Sequence, residues 1–253
     1  MTSRSWSELN RREFLGLAAV TLAAGAVASS PFAAFAQAAG VAGLKIGTIG
    51  AGREGGALGT LFAKAGHPVM FSSRHPEDLK DLVSNAGATA KAGTVEQAVA
   101  FGDVIVIAVP FTAMEQIGKD YGKALAAKQL VFDVSNPIPG RDGQEFVKKI
   151  NDDGGAGLAT SRILPGAPIV RAFNAIGSGR LTANAHRSGD PLAIPIAGEN
   201  QKAIALASDL IKELGFEPVL VGGYAMGKYL VPGTPLAGEH TAAEVRQIAA
   251  TLK

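Results

Sequence analysis

The chain has 253 residues, no cysteine and a formal net charge of +2. That length suits one large domain with at most a small extension, and 47% hydrophobic residues allow a sizeable core and exclude a disordered chain. The balanced charge, with no dense Lys/Arg block, excludes an electrostatic nucleic-acid binder. The missing cysteines exclude disulfides, Cys-ligated zinc, iron–sulfur clusters and a thiolate nucleophile.

The first residues read as an address. Arg11-Arg12 precede Phe14-Leu15, an apolar run continues to Ala28, and Ala34-Phe35-Ala36 places small residues at both positions of an A-x-A cleavage site. A basic start, a short apolar run and small residues at the cut define a secretory signal, and the paired arginines give it the Tat class. The alternative is an uncleaved anchor, but the run falls short of the roughly 20 residues that span a bilayer. The expectation is therefore a signal peptide over 1–36 and a linker over 37–43. The Tat machinery is the expected export partner, the destination is periplasmic, and no membrane anchor remains after cleavage. Because this route carries folded proteins, a nucleotide bound in the cytoplasm would travel with the chain.

From residue 44 onward strands and helices alternate. Strands are expected at 44–49, 68–72, 88–90, 103–109 and 130–134, with helices at 55–65, 76–84, 94–101 and 112–126. Val104-Ile105-Val106-Ile107 is the clearest case, since an unbroken Val/Ile run suits a parallel strand covered on both faces. The second half reads as strands at 169–173, 192–196 and 218–221, with helices at 200–214 and 238–251. This alternation predicts an α/β fold: a doubly wound parallel sheet of the Rossmann type, over 44–253, with a small C-terminal α/β extension. Apolar stretches in the last third read either as core or as a homodimer face.

Gly50-Ala51-Gly52-Arg53-Glu54-Gly55 matches G-x-G-x-x-G, and it follows an expected buried strand and opens an expected helix. In that context Gly50 allows the tight turn, Gly52 lets backbone approach a pyrophosphate, and Gly55 allows close helix–strand packing. The helix N-terminus then offers free N–H groups to the phosphates. At the end of the second strand, where NAD binders usually carry a carboxylate for the ribose 2′-OH, stand Ser72, Ser73 and Arg74. Hydroxyls and a guanidinium suit a 2′-phosphate, so NADP is the expected cofactor. Arg53 is either a second positive charge near the adenine side or a solvent-facing loop residue. Val109-Pro110-Phe111 and Asn136 follow the fourth and fifth strands, at the strand ends where such sheets bind ligands. Phe111 and Asn136 are either nicotinamide contacts or plain turn residues. Ala172 to Ile176 are expected to line the same cleft.

Together, Ile46-Gly47-Thr48-Ile49-Gly50-Ala51-Gly52, Ala65-Gly66-His67-Pro68-Val69, Ser72-Ser73-Arg74, Val134-Ser135-Asn136-Pro137 and Arg171-Ala172-Phe173-Asn174 resemble the coenzyme F-420-dependent NADP oxidoreductase family. The N-terminal part is also similar to the cytoplasmic domain of six-transmembrane metalloreductases. The resemblance implies a Rossmann domain, 2′-phosphate recognition by Ser73 and Arg74, and a C-terminal part that helps form the second substrate's pocket. Gly222 to Tyr229 departs from the family's C-terminal pattern. The function implied is hydride transfer between NADP(H) and a small acceptor, either coenzyme F-420 or a flavin. The alternatives are a reductase of a small carbonyl, imine or metal chelate, and a non-catalytic NADP-binding protein. A carbonyl would need a proton donor, for which His186 is the candidate. No catalytic residue is assigned, and no metal site is expected.

Overall fold

The structure is a computed structural model that describes residues 40–252. The expected signal, 1–36, and the first part of the linker lie outside those residues. Within them eight strands form one sheet in the order β3-β2-β1-β4-β5-β6-β7-β8. They are β1 (Ile46–Ile49), β2 (Val69–Ser72), β3 (Ala90–Gly93), β4 (Val104–Ile107), β5 (Leu130–Asp133), β6 (Ile169–Arg171), β7 (Ala193–Gly198) and β8 (Glu217–Gly222). The helices are α1 (Arg53–Lys64), α2 (Lys80–Ala86), α3 (Val95–Phe101), α4 (Met114–Ala126), α5 (Pro139–Asp142), α6 (Gln144–Asp152), α7 (Ala156–Ile163), α8 (Ser178–Asn184), α9 (Gln201–Glu213) and α10 (Ala242–Thr251).

The six strands β1 to β6 are mutually parallel, with β1 between β2 and β4, so the chain reverses its direction of winding beside β1. That switch point is where open α/β sheets bind their ligands. The unbroken Val/Ile run of β4 serves two cores, because alternate side chains point to opposite faces. Val104 and Val106 join the cluster containing Leu58 and Phe62 of α1. Ile105 and Ile107 join the one containing Met114 and Ile117 of α4. A third, smaller cluster holds Leu230, Leu236 and Val245 against Ala193 and Val219 of the last two strands.

The expected all-parallel sheet needs one correction. β7 runs antiparallel to β6, pairing Val170 with Gly198 and Arg171 with Ala197, while β8 runs parallel to β7. The seven-residue α8 packs beside α1 and does not supply the long crossover that a parallel return requires. Four helices, α5 to α8, also lie where the sequence reading assigned none. α7 shows why: Ala156-Gly157-Leu158-Ala159-Thr160 lacks a broad apolar stripe because its small residues serve close contact. A Cβ on Gly157 would stand 2.2 Å from the Tyr224 carbonyl oxygen.

Candidate active site

The turn between β1 and α1 is held by three glycines with three different constraints. Gly50 has a φ of +92°, and a Cβ there would lie 2.5 Å from the Ala108 carbonyl oxygen at the end of β4. Gly55 presses α1 onto the turn itself, since its Cβ would meet the Gly50 oxygen at 2.0 Å. Gly52 has nothing within 4 Å, so its open side is available to a ligand. Gly52 also caps α1 without any side-chain hydrogen bond, leaving the helix's first N–H groups for an anion.

The register that sets Ser72 beside Ile49 brings the end of β2 next to this turn. It also separates the two serines. Ser72 is fully buried and its hydroxyl donates to the Thr48 carbonyl oxygen at 2.6 Å, so it is a strand-to-strand tie and not a phosphate ligand. This corrects its assignment as a cofactor contact. Ser73 lies just beyond the strand, and its Oγ accepts the His75 N–H at 3.1 Å. Arg74 is exposed and makes no ion pair among the described residues. A pair of this kind fits a phosphate monoester.

A cleft of about 830 Å³ opens at the C-terminal ends of β1, β4, β5 and β6. Gly52, Arg53 and Glu54 line it at the start of α1, Val109 and Pro110 in the loop after β4, and Asn136 in the loop after β5. Phe111 does not line it. Its side chain is 1% exposed and packs inward on Phe146, ring centroids 6.4 Å apart, so of its two readings the structural one holds. Phe173 to Gly177 line the far side, as expected for the segment after β6, and Pro232 to Thr234 with Ala237 and Gly238 complete the wall. No motif in the sequence pointed to this last stretch.

A buried polar network fixes the floor. The Arg171 guanidinium pairs with Asp133, both fully buried, and also donates to the Ser135 carbonyl at 3.1 Å and to Asn136 Oδ1 at 3.2 Å. Thr160 donates to the same carboxylate at 2.7 Å, and the Ser135 N–H donates to its other oxygen at 2.9 Å. Gly227 makes room for this arginine, because a Cβ there would lie 2.8 Å from Arg171 Cδ. Asn136 Nδ2 donates to the Asn174 carbonyl at 2.8 Å. Asn136 therefore lines the cleft with its side chain already committed. Phe173, at φ +65°, makes the left-handed turn that brings Asn174 back over Asn136. Sequence reasoning missed Asp133, Thr160 and Arg171 as a unit; a charged pair at the ends of two otherwise apolar strands was the available signal.

Two further ties bear on the cleft. Glu54 Oε1 accepts the Ser178 N–H at 2.9 Å, fastening the start of α8 to the glycine turn. Arg141 donates to the Asn136 carbonyl at 2.6 Å and pairs with Asp142, which accepts the Ile138 N–H at 2.8 Å. Burial pushes the Asp142 carboxyl up, but the Arg141 guanidinium and the Ile138 N–H outweigh it and hold the group below the usual aspartate range.

The acid–base inventory of the cleft is short. Among the described residues lining it there is no histidine, lysine or tyrosine. Its one carboxylate is Glu54, bound to Ser178. The Thr234 hydroxyl is directed at the carbonyls of Tyr229 and Val231. His186 lies elsewhere, in a small hollow with Leu61, Lys64 and Glu213, which removes it as a proton donor for this cleft. Among the described residues no cluster of His, Cys, Asp or Glu could hold a metal ion, and no helix is long and apolar enough to cross a membrane.

Sheet order, glycine turn and cleft together define a Rossmann-type α/β fold of the kind that binds dinucleotides. More particularly, residues 45–137 match the model of the family described as NADP oxidoreductase coenzyme F420-dependent, the one its motifs resemble. Among solved structures, a hypothetical protein from Sinorhizobium meliloti is 27% identical with a TM-score of 0.63, over 78% of this chain and 94% of that one. A provisionally named F420-dependent NADP reductase from Arthrobacter is 18% identical with a TM-score of 0.60, over 74% and 88%. An imine reductase from Myxococcus stipitatus, in complex with NAD+, shares the fold at 17% identity and a TM-score of 0.51, over 72% and 56%. No curated protein matches the sequence.

Proposed function

We propose that the chain binds NADP(H) along the strand ends from β2 to β5 and transfers hydride to a deazaflavin- or flavin-type acceptor held in the cleft. The α1 amides and the open side of Gly52 hold the pyrophosphate, and Ser73 and Arg74 hold the 2′-phosphate. Arg53 lines the cleft at the same helix end and adds positive charge there. Val109, Pro110 and the braced Asn136 flank the reacting rings. Bound NADPH supplies the hydride; the protein aligns the two rings and excludes water.

One observation favours this choice of acceptor: the cleft lining has no histidine, lysine or tyrosine among the described residues, and its one carboxylate, Glu54, is held through Oε1 by the Ser178 N–H. A carbonyl or imine reduced by hydride needs a proton from a positioned group, whereas hydride transfer between two ring cofactors relies mainly on alignment. The test is NADPH oxidation with coenzyme F-420, free flavins, simple carbonyls, imines and ferric chelates as parallel acceptors. Turnover is expected with the ring cofactors. Fast reduction of a carbonyl with a pH–rate profile reporting one essential acid would sink this reading, and NADPH binding without turnover on any acceptor would favour a non-catalytic role.

The same proposal includes a cleaved Tat signal over 1–36 and a periplasmic destination for the folded, nucleotide-loaded chain. Its support is the Arg11-Arg12 motif and the small residues at 34 and 36. Mass spectrometry of protein recovered from the periplasm reads both the new N-terminus and the nucleotide carried.

A further inference from the structure

Away from the cleft, a groove of about 870 Å³ runs between α4, α6 and α7. Its floor is apolar, built from Phe146, Ile150, Ala159, Ile163 and Pro165. Its rim is basic: Lys119 and Lys123 rise from α4, Lys149 from α6 and Arg162 from α7, against only Glu115 and Asp153. The three lysines are exposed and have no hydrogen-bond or ion-pair partner among the described residues. Arg162 is tethered only to the Asp153 carbonyl.

Two glycines of α4 face this groove, and only one is explained by packing. A Cβ on Gly118 would stand 2.6 Å from the Ile163 carbonyl oxygen, so that glycine lets α4 touch α7. Gly122 has nothing within 4 Å. A glycine inside a helix is a thermodynamic cost that close packing usually offsets, and here only open groove lies beside it. The space admits the backbone of something else.

We propose that this groove docks an amphipathic helix of a partner protein, apolar on one face and acidic on both flanks. Charge complementarity selects that occupant. Cations on all three helices, the lysines of α4 and α6 unpaired among the described residues, surround an apolar floor, and an incoming helix sets its apolar stripe on the floor and its carboxylates against the rim. The chain's own N-terminal segment is a poor match, because Arg11 and Arg12 stand at the head of its apolar run. A second copy of this chain, itself net positive, gains nothing from a basic rim.

The probe is a synthetic peptide of about four helical turns, leucine along one face and glutamate on both flanks. Its control is the same peptide with lysine flanks. Calorimetry with the full chain is expected to give micromolar binding of the acidic peptide, weakening as salt rises, and no measurable binding of the basic one. The Lys119→Glu, Lys149→Glu double variant is expected to weaken binding at least about tenfold. Gly122→Leu is expected to abolish it by filling the groove. Neither change touches the cleft, so NADPH binding serves as the folding control. Equal binding of both peptides, or binding unaffected by the two variants, overturns the proposal. So does failure of the acidic peptide while phosphatidylglycerol vesicles bind through the same lysines. Self-association lost on Gly122→Leu gives the groove to a second copy and overturns it too.

Discussion

Among the described residues Arg74 is a cation without a carboxylate, standing one residue beyond a serine whose hydroxyl hydrogen has no acceptor there. Charge-assisted hydrogen bonds to such a group contribute about 1.5–3 kcal/mol. Arg74→Ala should therefore weaken NADPH binding by about 10- to 100-fold and leave NADH almost unchanged. Calorimetry with both nucleotides reads the difference directly, and equal losses would remove the 2′-phosphate assignment. The Asp133–Arg171 pair belongs to the same scale. Both groups are out of water, and removing one strands the other, which costs about 3–5 kcal/mol. Denaturant unfolding of Arg171→Ala and Asp133→Ala should show losses of that size. Replacing both partners at once with Met and Leu should recover much of the loss, because the desolvation penalty goes with them. At this scale the sequence could not tell one serine from the other. Ser72 and Ser73 are alike as residue types. What distinguishes them is that the first ends β2 with its side chain turned into the sheet.

Two glycines show how one residue type has opposite consequences in two helices. Gly55 in α1 lies against the Gly50 carbonyl, and an added Cβ would meet backbone that cannot move without opening the turn. Gly55→Ala should lower NADPH affinity by at least about tenfold and also destabilise the fold. Gly122 in α4 faces open space, so Gly122→Ala should raise stability by about 0.5–1 kcal/mol through helix propensity alone. Unfolding midpoints and nucleotide titrations on the two variants test both directions. The legible elements were those with long apolar runs or a clear helical period, such as β4 and α9. Helices α5, α7 and α8 escaped because α5 and α8 are short and α7 is rich in glycine and alanine, whereas α6 carries a helical period in Phe146, Val147 and Ile150 that was open to reading. Their formation is decided by what they pack on, as Gly157 against Tyr224 illustrates.

For the whole molecule, the cleft joins residues from the glycine turn at 52 to the C-terminal stretch at 238, so nucleotide binding is coupled to the stability of a large part of the chain. A ligand that binds only the folded state stabilises it by about 2.7 kcal/mol at one hundred times its dissociation constant. For a domain of this size that is a rise of about 5–10 °C in Tm. NADPH should produce it at far lower concentration than NADH, and a thermal scan against both nucleotides measures the ratio. A chain with no shift for either nucleotide has no dinucleotide site.

Some of this protein was written locally. A buried strand, a glycine turn and a helix start are neighbours in sequence, so their hydrogen bonding and sterics are set within a dozen residues, and the β1–turn–α1 unit follows from that stretch alone. The turn of β7 against β6, the inward seat of Phe111, the Asp133–Arg171 floor, the wall from Pro232 to Gly238 and the basic groove on α4 are of another kind. Each depends on groups tens of residues apart meeting in space, and burial, pairing and shape at those meetings belong to the packed chain and to no single segment of it.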